Sequence, residues 1–139
     1  MNSSQLTSLL LRNSTDQFYI EYREHLFNHT SHGIIALARL GANRERIERF
    51  IRWYLPRLEE RDLHKDDDVK IVDCAGLLGA RKAYYALVED YKRQLDGKFG
   101  GSLEDTIADH FPKLFPGLLG SALHAIIHLG YAYAARNSQ

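Results

Sequence analysis

The chain has 139 residues, 45% apolar and 26% charged, and its 18 lysines and arginines balance 18 aspartates and glutamates. That size and composition suit one soluble globular domain, and the charge balance removes any bulk electrostatic pull toward nucleic acid or an anionic membrane. The single cysteine, Cys74, excludes an internal disulfide and reads as a small buried hydrophobe in a reducing compartment.

Residues 1–17 are rich in Ser, Thr, Asn and Gln, and their apolar stretch at 9–11 is too short for a signal segment. No run of apolar residues reaches the length of a membrane span. The glycosylation sequons at Asn13 and Asn28 therefore carry no weight. These features predict a cytoplasmic protein with a flexible terminus at 1–15, a single helical domain over 16–136 and a tail at 137–139.

Helical spacing of Phe18, Leu26, Ile34 and Leu37 predicts a first helical block over 16–40, broken near Asn28 and stopped by Gly41. Asn43 should cap a second helix reaching Arg57, with Ile47, Phe50, Ile51 and Tyr54 as its apolar stripe. The pairs Arg44/Glu48, Glu45/Arg49 and Glu48/Arg52 are four apart, which marks a self-paired wet face rather than a phosphate patch. The charged stretch 59–73, with His64 and Asp66 to Asp68, reads as a solvated loop.

A third helix is predicted over 76–95, with Gly76 and Gly79 allowing close helix packing, and 97–101 reads as a turn. Ser102 and Asp105 have nearly the spacing of a capping box for a short helix ending at His110. Pro112 and Pro116 then frame a turn into a last helix over 117–136. Between Gly117 and Ala135 the strongly polar side chains are Ser121, His124 and His128, besides the tyrosine hydroxyls. A helix apolar all round is expected to be buried. The elements together predict an all-α fold, a compact bundle of about five helices.

The chemistry lies in the histidines. His124 and His128 are one turn apart on one helix, with Tyr131 a turn further. His29 and His32 are three apart on another, and His25 joins them if that helix is continuous. Helix-borne imidazoles projecting inward build metal sites in bundles, and neutral imidazole suits iron, zinc, copper or nickel. The competing reading is a set of core histidines satisfied by hydrogen bonds, and spacing alone leaves both open. His64 and His110 receive no role. The chain carries no Gly-rich phosphate loop, nucleophile elbow or Cys-x-x-Cys.

The stretch Glu21-Tyr22, then Phe27-Asn28-His29-Thr-Ser-His32-Gly-Ile-Ile-Ala-Leu37 and Arg39-Leu-Gly-Ala42, resembles the opening of the questin oxidase-like family. So does Pro112-Lys-Leu114 with Pro116-Gly117-Leu-Leu-Gly120 and Leu123-His124-Ala-Ile-Ile-His128-Leu-Gly-Tyr-Ala132. Trp53 to Leu58 and Leu78 to Tyr91 resemble the helices between. The resemblance implies a Baeyer–Villiger-type monooxygenase acting on an aromatic polyketide ketone, with iron on histidine ligands and NADPH as reductant. His29, His32, His124 and His128 match the family's histidine positions and are the implied metal ligands, although some relatives carry arginine at the position of His128.

Family members are longer, so the resemblance also implies the N-terminal portion of such a protein, with an incomplete site. The expected partners are a small aromatic substrate and either a second copy or a missing C-terminal half. The rival readings are a helical binding or scaffold domain with structural histidines, and a helical zinc-binding module.

Overall fold

The computed structural model describes residue 8 and residues 17–24, 26–62, 75–77, 79–80 and 83–136. His25, His64, Asp66 to Asp68, Lys70, Cys74 and Lys82 lie outside the described residues. The fold is all-α, as predicted. Among the described residues five α-helices accompany one two-stranded hairpin. These are β1 (Glu21–Tyr22), β2 (Leu26–Phe27), α1 (Thr30–Arg39), α2 (Arg44–Tyr54), α3 (Tyr84–Asp96), α4 (Leu103–Leu114) and α5 (Gly120–Arg136). They fall into two units, one formed by Met1–Arg61 with Ile126–Gln139, the other by Asp62–Ala125. No helix among the described residues is long and apolar enough to cross a membrane.

In the first unit the predicted helix over 16–40 is corrected. It begins only at Thr30, and a hairpin precedes it with Glu21 opposite Phe27 and Tyr22 opposite Leu26. The chain turns through positive φ at Arg23 and Glu24, outside the right-handed helical region. Asn28 then fixes the break. Its N–H donates to the Ile20 carbonyl at 2.8 Å, and its Oδ1 accepts from the Thr30 N–H at 3.0 Å and the Thr30 hydroxyl at 2.6 Å. A short polar side chain that bonds the backbone two residues on competes with helix, which is why such residues favour caps and turns. Backbone bonds from Tyr19 to Glu59 and from Arg61 to Gln17, with a bridge between Phe18 and Glu60, bind the strand-like entry to the chain beyond α2.

The second helix matches its prediction. Asn43 Oδ1 accepts from the Arg46 N–H at 3.0 Å, and Leu55–Arg57 continues α2 as a 3-10 turn that takes Pro56. The three arginine–glutamate pairs form at 2.6, 2.9 and 3.9 Å, all exposed, so each contributes only about 0.3–0.5 kcal/mol. α1 packs on α2. The core there holds Tyr22, Ile34, Ile35 and Ile47, with Asn28, Thr30 and His32 buried among the polar groups.

In the second unit the predicted third helix is shortened to Tyr84–Asp96, preceded by a 3-10 turn at Ala75–Leu77. Gly79 has φ +82° and open space where a Cβ would stand, so its role is backbone conformation and not close packing. α4 runs four residues past its predicted end at His110, through Pro112 to Leu114, and Ser102 Oγ caps it by accepting from the Asp105 N–H at 3.2 Å. His110 is buried against Gln94 Oε1 at 3.0 Å, edge-on to the Tyr91 ring at 4.6 Å. Burial holds its imidazole below the usual histidine range, favouring the neutral form. Beside it, hydrogen bonds from Lys113 and Lys98 hold the Asp109 carboxyl down at about 2.

The last helix also departs from expectation. It starts at Gly120, after a 3-10 turn at Phe115–Gly117 that contains Pro116. It is not buried all round: Leu123 is 46% exposed, Ile126 45% and Tyr133 58%. Apolarity tells how much surface a helix would gain by burial, while coverage depends on what the rest of the chain can lay against it.

Candidate functional site

The site lies in the first unit, where α1 and the C-terminal half of α5 meet beside α2. His29 stands at the N-cap of α1, and α1 then presents His32, Gly33 and Ala36 along the same side. Of the four predicted ligands, the structure joins three. His29 Nδ1 lies 2.8 Å from His32 Nδ1, and His32 Nε2 lies 3.0 Å from His128 Nδ1, across 96 residues of sequence. His124, one turn before His128 on α5, belongs to the second unit.

Neighbouring rings hold this row in place. His32 is stacked on Tyr131, with centroids 4.5 Å apart and planes at 19°. Phe27 approaches His128 at 6.3 Å, and the strand register sets Glu21 opposite Phe27 on the same hairpin face. The Nε2 of His128 and Oε2 of Glu21 are both buried. The His29 N–H donates to the Tyr54 hydroxyl at 3.1 Å. Burial raises the Tyr54 phenol above its ordinary value, with a hydrogen bond to Tyr22 acting the same way and the His29 N–H opposing.

The imidazoles open on a cavity of about 340 Å³ lined by Gly33, Phe50, Trp53, Tyr54, Ile127 and Tyr131 together with His29 and His32. That volume lies in the range of small-molecule sites, roughly 300–1,000 Å³. On α2, Phe50, Trp53 and Tyr54 share a face by their spacing, and Phe50 is stacked on Tyr54 at 5.5 Å and 25°. The Arg57 guanidinium lies 3.9 Å over the Trp53 ring and donates to the Trp53 carbonyl.

A neutral imidazole has one donor and one acceptor nitrogen. With both its nitrogens engaged, His32 therefore passes a hydrogen-bond direction from one neighbour to the other. The row can relay a proton between His29 Nδ1 and His128 Nδ1. The same donors suit a metal ion. Two nitrogens bound at about 2.1 Å and at right angles are roughly 3 Å apart, close to the separations here. Three imidazoles are a donor set for iron, zinc, copper or nickel. As placed, each contact is filled by a hydrogen bond, and among the described residues no three such groups converge on one point. An ion would replace those bonds, taking one nitrogen of His32.

Sequence spacing identified the imidazoles but not the wall opposite. Phe50 and Tyr54 read as a core stripe, and Trp53 entered only as part of a segment resembling a family helix. The available signal was the cluster of three aromatic residues within five positions on one helix face.

The chain thus gathers imidazoles from its two ends at the edge of an aromatic cavity. The questin oxidase-like family model matches residues 26–139, and the chain belongs to that family. No curated protein and no solved structure matches the chain. Family membership points to an oxidoreductase.

Proposed function

We propose that this chain oxygenates a planar aromatic ketone in the cavity between α1, α2 and α5, with His29, His32 and His128 holding iron and NADPH supplying electrons. His124 is the further ligand that the family resemblance implies. The observation that carries the reading is the His29–His32–His128 contact, made from opposite ends of the chain at the mouth of an aromatic pocket. In a Baeyer–Villiger step one oxygen atom enters the carbon–carbon bond beside the ketone. The other leaves as water, with two electrons and a proton derived from NADPH and one further proton from solvent. Bound iron would supply activation of dioxygen, which side chains cannot.

The chain's own residues do the rest. Phe50, Tyr54 and Tyr131 offer flat faces to a fused-ring substrate, and Ile127 and Ala36 add apolar lining. The Tyr54 hydroxyl accepts from the His29 N–H and bonds Tyr22, which fixes its ring at the cavity wall. The imidazole row can carry a proton between its nitrogens.

The test is oxygen uptake by iron-loaded protein given NADPH and a hydroxyanthraquinone. Uptake tied to NADPH and substrate, and lost in His32→Ala, supports the reading; uptake equal in the variant overturns it. A second reading, a non-catalytic binding module with structural histidines, is favoured by the two protein partners of His32. It predicts substrate binding without oxygen uptake in the same assay.

A further inference from the structure

Gly33 stands in the interior of α1, where glycine costs about 0.5–1 kcal/mol against alanine. Its neighbour on α2 gives the reason. A Cβ built at Gly33 would lie 2.2 Å from Phe50 Cζ and 2.4 Å from Phe50 Cε1, far inside van der Waals contact. The tip of the Phe50 ring rests on the bare α1 backbone immediately after His32. Tyr54 is stacked on the ring and Trp53 lies 6.3 Å away. Gly33 and Phe50 both line the cavity, so a ring lifted off position 33 changes its width.

We propose that the Gly33–Phe50 contact sets the width of the cavity beside His29 and His32, and so decides how large a fused-ring aromatic the site admits. The pair is a specificity determinant: glycine at 33 lets the Phe50 ring withdraw against α1, and the slot is as wide as that withdrawal. This rests on the cavity being the substrate site. A change of one methylene in a binding pocket is worth roughly 10–200-fold in discrimination, and Gly33→Ala inserts one methyl group at the point of closest approach.

Trp53 is the chain's one tryptophan and lines the same cavity, so its fluorescence reads occupancy directly. The full chain is titrated with naphthoquinone sulfonate, which has two fused rings, and with anthraquinone sulfonate, which has three. Saturable quenching gives two dissociation constants, and their ratio is the readout. Gly33→Ala should weaken the three-ring probe about tenfold or more while changing the two-ring probe less. Phe50→Leu, which shortens the ring that must move, should shift the ratio toward the three-ring probe. Gly33→Ala combined with Phe50→Leu should recover the binding lost in Gly33→Ala alone.

An unchanged ratio in Phe50→Leu overturns the proposal even if Gly33→Ala does not fold. So does a double variant no better than a folded Gly33→Ala. If the wild type quenches with neither probe, both this inference and the cavity reading fall. If binding follows the predicted pattern while oxygen uptake is absent, only the proposed reaction falls.

Discussion

Replacing Asn28 by alanine removes the side chain that sets where α1 begins. Asn28 is 6% exposed, and its Oδ1 is shared by the N–H and the hydroxyl of Thr30, itself 1% exposed. The Nδ2 of Asn28 also donates to the Tyr19 carbonyl at 3.3 Å. Loss of a capping acceptor costs about 0.5–2 kcal/mol, and a buried donor left without its partner costs about 1–3 kcal/mol. The terms overlap, because the Thr30 N–H enters both, so a loss of roughly 2–4 kcal/mol is expected. At about 2–8 °C per kcal/mol across this size range, Tm should fall by at least roughly 4 °C.

Asn28→Asp keeps the acceptor but buries a charge and sets an oxygen against the Tyr19 carbonyl, so it too should lose about 1–3 kcal/mol or more. Thermal unfolding followed by far-ultraviolet circular dichroism, with urea titration for the free energy, measures both. Asn28→Ala within 0.5 kcal/mol of wild type, as ordinary surface changes are, would refute the claim that this side chain holds the break before His29.

Three further outcomes follow from particular contacts. Tyr54→Phe deprives the His29 N–H of its acceptor and should cost about 1–2 kcal/mol by urea unfolding, with weaker quenching of Trp53 by a three-ring quinone. The His110 imidazole is held below its ordinary 6.5 by burial, so between the lowered value and 6.5 the unfolded chain binds more protons. Stability should therefore fall as pH drops below 6.5, and His110→Gln should flatten that slope in urea titrations; imidazole resonances place its titration directly. Asp109, at about 2 beside Lys113 and Lys98, should remain ionised until near pH 2, as carboxyl chemical shifts will report.

How far the sequence could be read is clearest at two places. The α2 cap at Asn43 and its charge pairs were legible because they are local: cap, turn and four-residue spacing are all written within one helix. The hairpin at Glu21–Phe27 was not, because two residues per strand are too few for a period-two pattern, and the bonds from Asn28 and Glu59 that hold it are long-range or side-chain in origin. At the site, spacing showed that each histidine pair shares a helix face. That His32 meets His128 depends on how α1 lies against the end of α5, which no local pattern encodes. The exposure of Leu123, Ile126 and Tyr133 is of the same kind, since an apolar helix does not say what will cover it. His110 was passed over because its partner Gln94 is sixteen residues away on another helix.

The central claim is that imidazoles from opposite ends of the chain form one metal site. A titration of the purified chain with Co²⁺, read by its visible absorption, with bound metal counted by elemental analysis, tests it most directly. A single saturable site of about one ion per chain is expected. It should be lost in His32→Ala, strongly weakened in His128→Ala, and weakened less in His124→Ala. Binding at full stoichiometry in His32→Ala, or no specific site in the wild type, would contradict it.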